Sequence, residues 1–252
     1  MKSILILILL VSFCSFSQGK RKKSSAEHFF GLTYKPLIPF GLVGDKPVDI
    51  QIESFTTNVK PTFGYTFGAN IRTGITKLLA IETGLLYTRK NYLTSFNLAD
   101  SSLTDENDFG IINFDIPINM LVYIQLGEKL YVNTALGVSL TYNPSNIRTQ
   151  TNPEGAHLFK IQASRRGFFS GELNANVGFE YRTEKDGFFY LGVSGKIPFE
   201  PLLNVVSIYE NDDYLIFNGA ELSGATFAID LRYFFHNTKN KGTQFKGGPI
   251  EQ

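Results

Sequence analysis

Side-chain chemistry needs a nucleophile beside a base, two carboxylates at working distance, or a cluster of metal ligands, and each can be sought in this chain of 252 residues. Histidine occurs three times, as His28, His157 and His236. A hydrolytic triad would set one of them between a serine and a carboxylate. His157 lies in "NPEGAHLFK" with no patterned serine or acid beside it, so it reads as a loop-surface residue. His28 and His236 bracket the patterned part of the chain and read as interfacial. Glu172 and Glu180 could form a glycosidase pair only if they were close, but in one extended segment they are roughly 26 Å apart. "DSSLTDENDFG" groups Asp100, Asp105, Glu106 and Asp108, oxygens that could bridge a cation, but without calcium-loop spacing; a solvated acidic loop is expected. The single cysteine, Cys14, excludes a disulfide framework. No catalytic residue, cofactor-binding residue, cofactor or metal ligand is assigned.

The charged residues fall instead into a pattern of period two. In "GIINFDIPINMLVYIQ", Ile112, Phe114, Ile116, Ile118, Met120, Val122 and Ile124 share one face of a strand, while Asn113, Asp115, Pro117, Asn119, Tyr123 and Gln125 share the other. Similar alternation marks eight segments, near residues 28–38, 61–73, 78–90, 110–125, 129–142, 168–182, 187–199 and 222–235. Their apolar sets are bulky and aromatic, too large for one narrow lumen. Their polar sets carry glycine, asparagine and balanced charge: acids Glu82, Asp115, Glu172, Glu180 and Asp230 against bases Lys35, Arg72, Arg182, Lys196 and Arg232. A water-facing surface would carry more lysine and glutamate and fewer glycines. The apolar face is therefore assigned to lipid. Lys35, Arg72, Glu82, Asp115, Glu172, Glu180, Lys196, Asp230 and Arg232 are expected to form an ion-paired network inside a barrel. Pro117 cannot donate to a ladder, and a closed barrel has no free edge, so a β-bulge or local widening is expected there.

The links between segments alternate strictly, short ("GITK", "LGE", "TEKD") with long and polar (residues 39–60, 91–109, 143–167 and 200–221). Tight periplasmic turns and longer outer loops have this rhythm in outer-membrane barrels. The second and fourth long loops are acidic and the third is basic through Arg148, Lys160, Arg165 and Arg166. Lys2, the apolar run 4–11 and Ser15-Phe16-Ser17 resemble a secretory signal cut before Gln18, and the run is too short to span a bilayer as a helix. Aromatics make up 14%, from 23 Phe and 12 Tyr, and glycine also numbers 23, a mixture that suits strands and turns. A net charge of +1 gives no global field for nucleic acid, which is not an expected partner. The fold class is all-β: an eight-stranded antiparallel transmembrane β-barrel of the outer-membrane type, preceded by a cleaved signal peptide. Residues 1–17 are the signal, 18–26 a basic periplasmic segment, 27–235 the barrel and 236–252 a polar periplasmic tail.

At "INFDIPINMLVYI", followed after a tight turn by "LYVNTALGVSLTY", the chain resembles the PorT-like outer-membrane β-barrel family. The resemblance implies the same fold over nearly the whole mature chain, no transferable catalytic motif, and for some relatives a part in protein secretion. "FAIDLRYFF" is similar to the terminal signal that barrel-insertion machinery reads. The function expected is a non-enzymatic, structural or partner-binding envelope component of the outer membrane, with a secretion accessory role as its sharper form. Its expected partners are outer-membrane lipid and lipopolysaccharide, the insertion machinery and an envelope or secretion protein. The alternatives are an outer-membrane enzyme acting on lipid or peptide, and a soluble lipocalin-like barrel.

Overall fold

A computed structural model describes residues 28–41, 44–76, 78–152, 155–183, 186–213 and 215–236. The expected signal peptide, the basic segment and all but the first residue of the tail lie outside them. Thirteen strands are formed: β1 (His28–Ile38), β2 (Val48–Ile52), β3 (Phe55–Gly74), β4 (Leu79–Leu98), β5 (Leu103–Gln125), β6 (Leu130–Tyr142), β7 (Ile147–Thr151), β8 (Leu158–Arg165), β9 (Phe169–Arg182), β10 (Phe188–Pro198), β11 (Leu203–Glu210), β12 (Leu215–Leu222) and β13 (Thr226–Phe234). Strands β1, β13, β10, β9, β6, β5, β4 and β3 pair antiparallel in that order, and β3 pairs back to β1. The ring is closed at eight strands. Short turns lie at the end that also carries the start of β1 and the end of β13.

The two faces of this ring have opposite solvents. On β5, Phe114, Ile116, Ile118, Met120, Val122 and Ile124 are exposed while Asn113, Asp115, Asn119 and Tyr123 are buried. Aromatics edge the outward belt, with Tyr65, Phe67, Tyr87, Phe114, Tyr142 and Phe169 in ring contacts on one rim and Phe30, Phe235, Tyr233 and Phe189 on the other. An apolar belt between aromatic girdles, around a charged interior, is the arrangement of a transmembrane barrel in an outer membrane. The lipocalin-like alternative needs the reverse polarity and is excluded.

The long links are not loops, and this corrects the sequence reading. They extend β3, β4 and β5 far beyond the outer girdle and add β2 beside β3, while β12, β11, β8 and β7 form a second sheet in that order. "DSSLTDENDFG" is a tight connection plus the start of β5: a single 3-10 turn over Ala99–Ser101, with Leu98 paired to Leu103. The two four-stranded walls, β2–β3–β4–β5 and β7–β8–β11–β12, enclose Phe55, Val59, Tyr92, Phe96, Phe109, Ile111, Phe159, Ile161, Val205 and Tyr209. Side chains bridge the gaps between the walls, from Asn107 to the Gln150 carbonyl (3.3 Å) and from Asn218 to the Gln51 carbonyl (3.4 Å). A water-soluble cap with an ordinary apolar core thus sits on a membrane barrel with a polar one.

Strand β5 passes from one regime to the other without a break. Its inward residues run from Leu103, Phe109 and Ile111 to Asn113, Asp115 and Asn119. Strand β3 makes the same passage through a register shift between Thr62 and Tyr65, where one extra residue lies opposite β4. An extra residue flips the side-chain phase, so Phe55, Thr57 and Val59 face the cap core while Thr66, Asn70 and Arg72 face the lumen. Of the bulge or local widening expected at Pro117, the bulge is absent and the ladder to β4 is interrupted locally. Thr83 pairs with Ile118 and Leu86 with Asp115 in one constant register, and Pro117 pairs regularly with Ser139 on the other side. Proline is accommodated because the Gly84–Pro117 and Leu85–Ile116 pairs drop out of the ladder locally, with no residue inserted.

Candidate functional site: a sealed lumen beneath a folded cap

The lumen is filled in layers. Nearest the short turns, Phe29, Leu121, Tyr123, Tyr131, Phe188 and Phe234 form an apolar plug. Above it lies a chain of ion pairs. Arg72, fully buried, meets Glu82 at 2.7 Å and Glu180 at 2.5 Å, and its guanidinium lies 3.9 Å over the Phe234 ring. Arg232 pairs with Glu82 at 2.6 Å and with Asp230, which Lys35 also reaches at 2.9 Å. Arg182 pairs with Glu180 at 2.6 Å and covers the Tyr131 ring.

Amides and hydroxyls fill the middle. Asn174 donates to Ser139 Oγ at 2.7 Å and to Asn119 Oδ1 at 3.3 Å, and Asn70 donates to Thr33 Oγ1 at 2.7 Å. The cavity among these groups is only about 10 Å³, room for about one water molecule. The glycine pair Gly178–Gly192 gives Tyr190 its place, because a Cβ on Gly192 would meet the Tyr190 hydroxyl at 2.5 Å. A second ionic layer follows. Lys196 meets Asp115 at 2.5 Å and Glu172 at 3.5 Å, Lys90 approaches Glu172 at 3.8 Å, and Thr88 and Thr141 donate to Asp115.

All nine residues expected in the lumen point into it, and each takes part in an ion pair. Arg182, which the sequence set among the bases, joins them. Lys90 was missed, although it shares the phase of Glu82 on β4. The lumen therefore holds five carboxylates against six cations among the described residues, which leaves little net field for a permeating ion.

Where lumen meets cap, Asp45 acts as a buried junction. Its carboxylate accepts from the Tyr92 hydroxyl (2.5 Å) and from the Gly224 and Ala225 amides (2.6 and 3.2 Å), while its own amide donates to the Ala225 carbonyl (3.0 Å). Lys90 Nζ donates to the Gly224 carbonyl at 2.5 Å. Tyr92 lies beyond the outer girdle, and burial, reinforced by the Asp45 charge, pushes its phenol well above the ordinary value. Asp45 escaped sequence reasoning because it sits in a connection with no periodicity.

The residues weighed for chemistry do not converge. His28 Nδ1 bonds Thr73 Oγ1 (2.9 Å) at the short-turn rim, and His236 follows β13. His157 is not a free surface residue: it is half-buried, 2.6 Å from the Tyr209 hydroxyl in the cap. Glu172 and Glu180 belong to different ionic layers. Asp105 accepts from Thr151 and Glu106 from Ser95, so these acids are strand residues of the cap rather than parts of a loop. The charges of the third and fourth links pair with each other, Lys160 with Glu210 and Arg166 with Glu221.

No family model and no curated protein matches the chain. Among solved structures, the outer membrane protein OprG from Pseudomonas aeruginosa is similar over 84% of this chain and 97% of that one, at 13% identity and a TM-score of 0.47. The architecture rests on the chain's own closed ladder and on the polarity of its two faces.

Proposed function

We propose that the protein is a non-enzymatic structural and partner-binding component of the outer membrane, with a secretion accessory role as the form suggested by the PorT-like resemblance. The observation that carries this reading is the combination of a filled lumen with a folded cap. An eight-stranded barrel is just wide enough for its own side chains, and here ionic layers and aromatics occupy it, so what the molecule offers is its surfaces. The cap is the largest of these. Lipopolysaccharide is the lipid partner that suits the outer rim, because Lys60 and Arg89 are exposed just above the aromatic girdle and Arg165 and Arg166 stand beside Phe168 and Phe169. The end of β13 suits the insertion machinery through its alternating apolar residues and final aromatics.

Photo-crosslinking in native envelopes tests the reading. Crosslinkers at the exposed cap positions Thr104, Arg148 and Asn218 should capture a defined envelope protein, identified by mass spectrometry. Capture of lipid alone from every cap position would overturn it.

A further inference from the structure

Nearly every exposed large apolar side chain among the described residues belongs to the lipid belt or its rims. Leu215 and Phe217 do not. They stand 55% and 65% exposed on the outer face of β12, far above the girdle, while Ile216 and Ala220 on the same strand pack against the cap core. Water offers no reason to present two large apolar residues side by side on one face of a strand.

Their strand is also an edge. β12 pairs only with β11. The Leu222 carbonyl accepts from the Leu202 amide on the β11 side, whereas the Gly219 amide is taken by its neighbour's own side chain, Asn218 Oδ1, at 2.8 Å. Alternation then directs the amides and carbonyls of Leu215, Phe217 and Gly219 away from β11. The neighbour on that side, β2, lies along the part of β12 nearer the barrel as far as the Asn218–Gln51 contact and ends one residue later, at Ile52, so the open edge is the stretch of Leu215 and Phe217 beyond it. Natural sheets blunt such edges with lysine, proline or a cover; here the edge carries leucine, phenylalanine and glycine. The free charges at its open end are acidic, Glu53 just after β2 and Asp212 and Asp213 in the turn before β12, all exposed, while Lys160 on the same wall is paired with Glu210.

We propose that the free edge of β12 receives an extended, basic segment of a partner protein as an added strand, with alternate apolar residues of that segment resting on Leu215 and Phe217. Main-chain bonds supply the pairing, the two apolar side chains set the register, and the acidic turns select lysine- or arginine-bearing segments. This rests on the partner-binding reading above and names the chemistry of the partner.

The test uses the full chain refolded in zwitterionic detergent and a short fluorescent peptide alternating valine with lysine and threonine, read by anisotropy against empty micelles. Binding should weaken at least tenfold in the Leu215→Ser/Phe217→Ser double variant, which removes the apolar pair without adding charge. It should weaken as much when alternate peptide amides are N-methylated, which removes main-chain donors and keeps the side chains. Near-UV circular dichroism checks that the variant keeps its cap. Equal binding of the N-methylated peptide, or no binding by the wild-type protein, would overturn the proposal. If Thr104 or Arg148 nevertheless captures a partner in envelopes, the broader reading stands and the edge alone is refuted.

Discussion

Removing Arg72 would take one of two cations from each of Glu82 and Glu180 in a layer closed to water. Breaking a buried pair leaves an undercompensated charge, so Arg72→Met should destabilise by an amount near the lower end of about 3–5 kcal/mol, since Arg232 and Arg182 remain. Lys60→Met, on the exposed rim, should stay within about 0.5 kcal/mol. Urea unfolding in lipid vesicles, followed by tyrosine fluorescence, would rank the two. Tyr92 makes the corresponding prediction outside the membrane. Burial and Asp45 raise its folded pKa above the unfolded value of about 10. Its contribution is therefore complete below about pH 10 and declines as the pH rises through that range, because only the unfolded phenol ionises there. Tyr92→Phe should flatten the alkaline fall in cap stability, followed by near-UV circular dichroism, by one proton's worth of slope. The lumen residues were legible because parity alone decides which way a strand residue points. Lys90 was not, because it stands where the lipid-facing pattern of β4 gives way to the cap and the apolar phase that defines parity ends.

At the scale of elements, the barrel strands were legible and the cap strands were not, for a physical reason visible on β5. Alternation does not stop at Ile111 and Ile112; its phase inverts, because above the girdle water lies outside and grease inside. A pattern sought as apolar-out and polar-in therefore breaks off where the solvent changes. Strand β3 shows the other half of the difficulty: its extra residue resets the phase, and a bulge leaves no mark in composition. The bulge can be tested directly. Deleting Phe63 should turn either Phe55, Thr57 and Val59 or Thr66, Asn70 and Arg72 to the wrong face. Placing one arginine against lipid alone costs about 2–4 kcal/mol near the midplane. The deletion should abolish the compact, heat-modifiable form on gel electrophoresis, whereas Phe63→Leu should keep it. Pro117 teaches the opposite lesson: a missing donor was absorbed by two lost pairs, and the register on both sides held.

The whole molecule is a tube stopped at both ends and packed between. Planar-bilayer recording should show no stable large conductance step, and weakening the cap with Phe55→Ala should leave that result unchanged, because the ionic layers lie below it. A steady open level in either protein would contradict the filled lumen. The sequence made the closed lumen readable through strand number, but the second wall of the cap joins β8 to β11 across separate links, a pairing that no local pattern announces.

The barrel closes where its first and last strands meet, β1 on β13, and directly above that line β2 and β12 touch without pairing. Asp45 bridges the link after β1 to the link before β13. In mechanical language it is a stitch above a zip. A force applied to the C-terminal end would peel β13 until it reached that carboxylate, and there the load would pass from a ladder broken bond by bond to a cluster that must yield at once. In single-molecule extraction from a bilayer, the Asp45→Ala chain should lose a late force peak while keeping its earlier ones.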